Sequence, residues 1–313
     1  MTCSVIVATW SHGVFVCSEG LPKQERAGHS VRVVVADGQG GALAIFDRHS
    51  LCRRSPDGVW STIATTEMDL SCCVLVDDFI YIGTDDALIL RVNPAGTIEQ
   101  LPGFEKVAGR DKWYAGSMVV EGRRVGPPLG VRSITATSDG KTLLANVHVG
   151  GIPRSTDGGA TWQPTIDIGS DVHEVRAHPN RPNIAAAAAA IGLCVSTDGG
   201  ATWEVEQRGL HALHCSAVAF AGEDILVSAA ESPFAPLGAI YRRGIGENCP
   251  LVQAAGGLPE WLERGVDTHC IAAHGSVVAV ADRGGNLYLS ADHGHSWSRR
   301  AEDIPGPSSI LIL

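Results

Sequence analysis

Apolar and polar positions along this chain alternate in short runs that never settle into a helical period. From Val131 to Ala136 apolar and polar residues are interleaved over the length of a strand; Ser138-Asp139-Gly140-Lys141 interrupts the run, and strand-like runs resume over Thr142 to His148 and Ile152 to Ser155. Runs of this length separated by turn residues read as antiparallel strands joined by tight hairpins. The cadence repeats over Val172 to Ala177, Ile184 to Ala190, Leu193 to Ser196 and Trp203 to Glu206. Extended in both directions, it gives four-stranded units at 31–64, 72–101, 131–165, 172–206, 215–254 and 269–300.

Three strand-like pieces are left over: Ser4 to Ala8 and Val14 to Cys17 at the start, and Ser308 to Leu313 at the end. None can bury both faces alone. If the C-terminal strand is the innermost of a seventh sheet completed by N-terminal strands, with a fourth strand between Pro22 and His29, no sheet edge stays open. The expected fold is therefore all-β: a seven-bladed β-propeller of four-stranded antiparallel blades, over residues 1–313, closed by N- and C-terminal strands that share a blade. Six blades with an irregular closure is the alternative. A length of 313 residues suits seven units of roughly 40–45 residues each.

The octapeptide Ser155-Thr156-Asp157-Gly158-Gly159-Ala160-Thr161-Trp162 returns unchanged at Ser196 to Trp203, its Asp198 lying 41 positions after Asp157. In each copy Ser and Asp oxygens can accept backbone N–H groups, a Gly (Gly159, Gly200) can take positive φ, and Trp can cover the turn. A looser copy keeps Ser290, Asp292, Gly294 and Trp297; a shortened one runs Ser55-Pro56-Asp57-Gly58-Val59-Trp60. These residues resemble the Asp-box (BNR) repeat of sialidase-like β-propellers, a group that includes sialidases, sortilin-type domains and propellers similar to photosystem II assembly factors. The resemblance implies a blade and not an activity.

Composition narrows the functions. A formal charge of −10 with no Lys/Arg run argues against nucleic acid as a partner. The longest apolar run, Ile184 to Leu193, is far short of the ~20 residues of a membrane span, and the N-terminus has no signal-peptide pattern, so a soluble, cytoplasmic protein is expected. The nine cysteines are odd in number and mostly strand-bound, which reads as reduced, buried thiols.

In a propeller, loops entering the inner strands share a face with loops joining second to third strands; the Asp-box turns lie on the other. The first face also receives the long insertions at about 102–130 and 256–267. Arg132, His148, His173, His214 and His269, with Glu231 and Asp282, are expected at that mouth, beneath insertions carrying Trp113, Tyr114 and Trp261. Convergent donors with aromatic surfaces suit a small polar molecule, glycan or protein segment. Histidines near their ordinary pKa would make binding respond to mild acid. A metal on His173, His214 and His269 is the competing reading; no ligand-spacing motif selects one, and neither metal nor cofactor is assigned. Oligomeric state is left open.

A non-catalytic binding or scaffold propeller is therefore the leading expectation. The alternative implied by the resemblance is a sialidase-type glycoside hydrolase, with a Tyr nucleophile, an Asp acid/base and an arginine cluster. No Phe-Arg-Ile-Pro or Tyr-Arg-Ile-Pro occurs near the start, and Tyr114 is the one tyrosine outside a strand stretch. An assembly factor of the photosystem II type is a further alternative.

Overall fold

The computed structural model describes residues 3–115, 118–120, 123–125 and 129–313. Seven antiparallel sheets form a ring. Blades 1 to 6 follow the chain, with inner strands Val31–Ala36, Leu70–Val76, Val131–Ala136, Val172–Ala177, His214–Ala221 and Ile271–His274. The closing blade takes its inner strand from the C-terminus, Pro307–Ile312, and its outer three from Val5–Thr9, Val14–Cys17 and Lys23–Glu25. Val5 pairs with Ile312 and Val7 with Ile310, so the ring is latched by its two ends. Each inner strand packs beside those of its two neighbours around the channel.

The alternation seen in the sequence is the packing rule of the blades. In the middle strand Ala185–Ala189 every residue is buried: Ala186 and Ala188 face blade 5, while Ala185, Ala187 and Ala189 face blade 3. Small side chains on both faces let neighbouring sheets approach closely.

Inner strands expose one backbone edge to the channel, where unpaired N–H and C=O groups would be costly. Side chains from adjacent blades satisfy it. Ser309 Oγ accepts from Val34 N at 3.1 Å, Ser133 Oγ from Val175 N at 2.8 Å, Thr135 Oγ1 from Ala177 N at 3.2 Å and Glu174 from Val218 N at 3.0 Å.

The repeated octapeptides join third to fourth strands, as expected. Ser155 Oγ accepts from Gly159 N at 2.9 Å, and Asp157 accepts from Thr161 N at 2.9 Å and Thr161 Oγ1 at 2.6 Å. Ser196/Asp198 and Ser290/Asp292 repeat this pattern. Gly159 (φ 88°) also needs its bare Cα, since a Cβ there would stand 2.6 Å from Leu101 Cδ1 of the preceding blade. The tryptophans diverge. Trp162 and Trp297 are buried and donate to Gly159 O and Gly294 O, whereas Trp203 is half-exposed and donates to Thr165 Oγ1.

The insertions depart most from the sequence reading. Part of the first lies outside the described residues; the rest holds two 3-10 turns, Phe104–Lys106 and Arg110–Lys112, and a hairpin of Met118–Val120 with Arg123–Val125. The second adds Leu262–Glu263 beside Leu237–Gly244 at the edge of blade 5.

Candidate functional site

The antiparallel order of each blade puts the start of every inner strand opposite the octapeptide turns. At that end six of the seven inner strands carry a bulge in the same place. Pairing skips one residue or two at Arg32 and Val33, Ser71, Arg132, His173, Ser216 and Ala217, and Ser308. A bulge leaves its extra residue out of the ladder and re-aims the side chain. Here the bulges turn Arg32, Ser71, Arg132, His173, Ser216 and Ser308 into a single cavity of ≈ 760 Å³ at the channel mouth.

Two walls of this cavity differ in their electrostatics. On the side of blades 1 and 2, Arg32 grips Asp85 with contacts of 2.7 and 2.6 Å, and Arg48 joins Asp85 at 2.7 Å and Asp69 at 2.8 Å. The indole of Trp10 lies 5.6 Å from the Arg32 guanidinium. Burial pushes the Asp85 carboxyl up, against the pull of Arg32 and Arg48. Every charge on this wall has a partner.

The opposite wall comes from blades 3 to 5. His173 Nδ1 donates to Cys215 O at 2.6 Å, leaving Nε2 as the free nitrogen of a neutral ring, 3.8 Å from Asp171 Oδ1. His148 Nε2 stands 3.3 Å from the same oxygen without hydrogen-bonding alignment. The His214 ring lies 4.5 Å from that of His173. Burial, reinforced by Arg132, pushes His148 down to about 3 and His173 well below its ordinary value; burial, Arg132 and Arg283 push His214 down to about 4. The expected response to mild acid is thereby corrected, because these imidazoles are already neutral there. Burial also raises the Asp171 carboxyl, with Arg132 pulling it back.

Arg132 extends between these groups and donates to Thr268 Oγ1 at 3.0 Å. Among the described residues it is the one cavity arginine in no ion pair; Arg32 and Arg48 hold Asp85, and Arg283 holds Asp267 at 3.2 Å. Below it, Glu174 is fully buried and accepts from His269 Nδ1 at 2.9 Å and Arg176 Nε at 2.7 Å. Against the cost of burial, Arg176 and His269 hold Glu174 down to about 2.

Of the residues expected at the mouth, Arg132, His148, His173, His214 and His269 line the cavity. His269 does so as part of the wall, before its inner strand and at φ 65°, with Nδ1 on Glu174 and Nε2 2.9 Å from Arg132 O. The weighed metal trio of His173, His214 and His269 is therefore not the cluster that forms. Trp113 is buried against Phe104, Tyr114 is exposed away from the cavity, and Trp261 packs on His211. Glu231 points to solvent, and the buried Asp282 carboxylate closes a turn with Asn286 N at 2.9 Å. The cavity is also lined by Arg32, Arg48, Asp85, Asp171, Asp267 and Arg283, none of which the sequence reading selected. A shared signal was present: Val31-Arg32, Val131-Arg132 and Val172-His173 each set a polar residue directly after the first apolar one.

No family model and no curated relative matches the chain. Solved structures do. A candidate 6-phosphogluconolactonase from Bacteroides uniformis superposes with a TM-score of 0.68 at 13% identity, over 100% of this chain and 99% of that one. The computationally designed Ika8 protein gives 0.60 at 12%, over 96% and 86%. An ancestral GH74 enzyme gives 0.61 at 14%, over 88% of this chain but 39% of the enzyme, so this chain spans well under half of it. At such identities the likeness is one of fold, and all-β propellers carry many unrelated chemistries.

Proposed function

We propose that this chain is a non-catalytic binding propeller whose channel-mouth cavity holds a small, hydroxyl-bearing organic acid. The observation that carries the reading is Arg132: a half-buried side chain lining the cavity, with Thr268 as its polar partner and, among the described residues, no carboxylate in an ion pair with it. A carboxylate ligand would complete it by a charge-assisted pair, while the neutral His214 and the Ser71, Ser216 and Ser308 hydroxyls would serve ligand hydroxyls. A cavity of ≈ 760 Å³ suits a metabolite better than an extended glycan or a protein segment. The octapeptide turns support placing the fold with Asp-box propellers.

The sialidase alternative finds little support in the same cavity. No tyrosine is among its described lining residues, and three of its four arginines are held by aspartates. Turnover of a fluorogenic sialoside is not expected.

The test is calorimetric titration with glucuronate and gluconate, using glucose as the neutral comparator. The acids should bind and glucose should not, and Arg132→Gln should weaken acid binding by about 10- to 100-fold, the worth of one hydrogen-bonded charge. Equal binding of glucose, or an Arg132→Gln protein that binds the acids normally, would overturn the reading.

A further inference from the structure

The wall beside Arg132 contains an unsolved polar problem. Asp171 Oδ1 is buried and has no hydrogen-bond partner, yet it faces Nε2 of His148 at 3.3 Å and Nε2 of His173 at 3.8 Å. Nδ1 of His148, also buried, is unpartnered as well. An orphaned buried carboxylate oxygen is expensive unless a hydrogen-bond donor or a cation meets it. We propose that His148, Asp171 and His173 form a binding site for a divalent transition-metal ion of the zinc type, open on its remaining side to the cavity.

Four observations agree on this. The three candidate ligand atoms lie within 4.8 Å of one another; ligands about 2.1 Å from a tetrahedral zinc ion lie roughly 3.4 Å apart, so a small inward shift closes the site. The donor set of two imidazoles and one carboxylate is suited to zinc, and three protein ligands leave a position for a cavity ligand. His173 already has the outer contact that a metal-binding histidine needs, because its Nδ1–H donation to Cys215 O points the Nε2 lone pair at the site. Asp171 itself is held at φ 47°, ψ 72°, a left-handed conformation rarely kept by a residue with a Cβ, as the last residue before the inner strand Val172–Ala177.

The opposing charge is Arg132, which Asp267, Asp171 and Glu174 offset in turn. A metal ion there would add a second anchor for an anion without needing Arg132, so the site stands independently of the organic-acid reading. The probe is zinc alone.

Wild-type crystals soaked in zinc should show an anomalous peak about 2.0–2.2 Å from His148 Nε2, His173 Nε2 and an Asp171 oxygen. In solution, metal-stripped protein should take up one equivalent. Asp171→Asn, which keeps the side-chain volume and tolerates a left-handed backbone, should weaken uptake at least ~10-fold, the scale at which even outer-shell changes act. His295→Ala, on the exposed opposite face, should leave it unchanged. No peak at this site, a principal peak on a surface histidine, or unaltered uptake by folded Asp171→Asn would overturn the proposal. The soak of the wild-type protein decides the matter even if a variant fails to fold. Its failure would leave the glucuronate titration, which turns on Arg132→Gln, unaffected.

Discussion

The two ends of the propeller are built on opposite principles. At the turn end, equivalent Ser and Asp side chains make the same hydrogen bonds three times over, with Thr161, Thr202 or Ser296 as the hydroxyl donor, and each carboxylate oxygen of Asp157, Asp198 and Asp292 meets a donor. At the mouth, bulges break the ladder, Asp171 and His269 adopt left-handed backbone, and buried polar atoms of His148 and Asp171 lack partners. Repetition at one end and irregularity at the other separate the folding device from the proposed binding site: what the turns satisfy internally, the mouth would leave for a ligand. The difference predicts that substitutions at the turns will cost stability, and substitutions at the mouth will cost binding.

The largest effect should come from Trp162→Ala. This indole is 3% exposed, meets Phe104 at a 5.0 Å edge-on contact and donates to Gly159 O at 3.0 Å. Its removal should cost ~3–5 kcal/mol in denaturant titration, the range for a packed aromatic. The half-exposed Trp203 should cost about half as much on Trp203→Ala, since it leaves a smaller void. Equal losses, or a loss under ~1 kcal/mol at Trp162, would mean that the turns are not the rivets of the ring.

Acid should next distinguish the two ends by its range. Depressed histidine pKa values mean that the unfolded chain binds protons below about pH 6.5 while folded His148, His173 and His214 do not. Stability contributed by the mouth is thus complete above that pH and declines as pH falls toward about 4 for His214 and about 3 for His148. Each imidazole should account for ~1 kcal/mol of loss between pH 7 and 5.5 in metal-free protein. The turns behave otherwise. Asp198 is held down to about 2, its Thr202 and Ser196 hydrogen bonds outweighing burial, so its contribution persists until pH drops below about 4 and is lost toward 2. Denaturant midpoints measured from pH 8 to 3 should therefore begin to fall near pH 6.5 in wild type, and the fall between pH 7 and 5.5 should be smaller by about a third in a His214→Gln variant, which keeps two of the three depressed imidazoles. A flat profile down to pH 5 would show that the mouth histidines titrate normally.

How much of this was legible in the sequence follows the same division. The turns were, because Ser-x-Asp-x-Gly-x-Thr-Trp acts through residues adjacent in the chain, and strands could be counted outward from Asp157 and Asp198. Closure was legible as well, since Ile310 to Leu313 had no other edge to cover. The mouth was read only in part. His173 and Arg132 were found as polar residues at inner-strand starts, but a bulge is a one-residue change in register between strands, invisible to the period of either strand alone. Trp113 was misplaced because an insertion can fold its aromatic residue back onto the ring, here against Phe104, and nothing local to the loop says so. Asp171, just before Val172, was not selected at all, because its proposed role depends on His148, which lies in the neighbouring blade.

The smallest and most direct contrast pairs two aspartates. Asp198 accepts from Ala201 N, Thr202 N, Thr202 Oγ1 and Ser196 Oγ at 2.6–3.0 Å, so Asp198→Ala should leave several donors to water and destabilise the protein by ~1–2 kcal/mol, modest because the turn is solvent-exposed. Asp171 has an orphaned Oδ1 and a left-handed backbone that Asn adopts more readily than most residues. Asp171→Asn removes a poorly compensated charge at nearly constant volume, and stability should be unchanged or rise by up to about 1 kcal/mol. The two variants, measured side by side by urea titration at pH 7 without added metal, should shift the midpoint in opposite directions or differ by at least ~1 kcal/mol. If Asp171→Asn is the more damaging of the two, the Asp171 carboxylate belongs to the framework of blade 4, and the strain before Val172 serves the fold instead of a ligand.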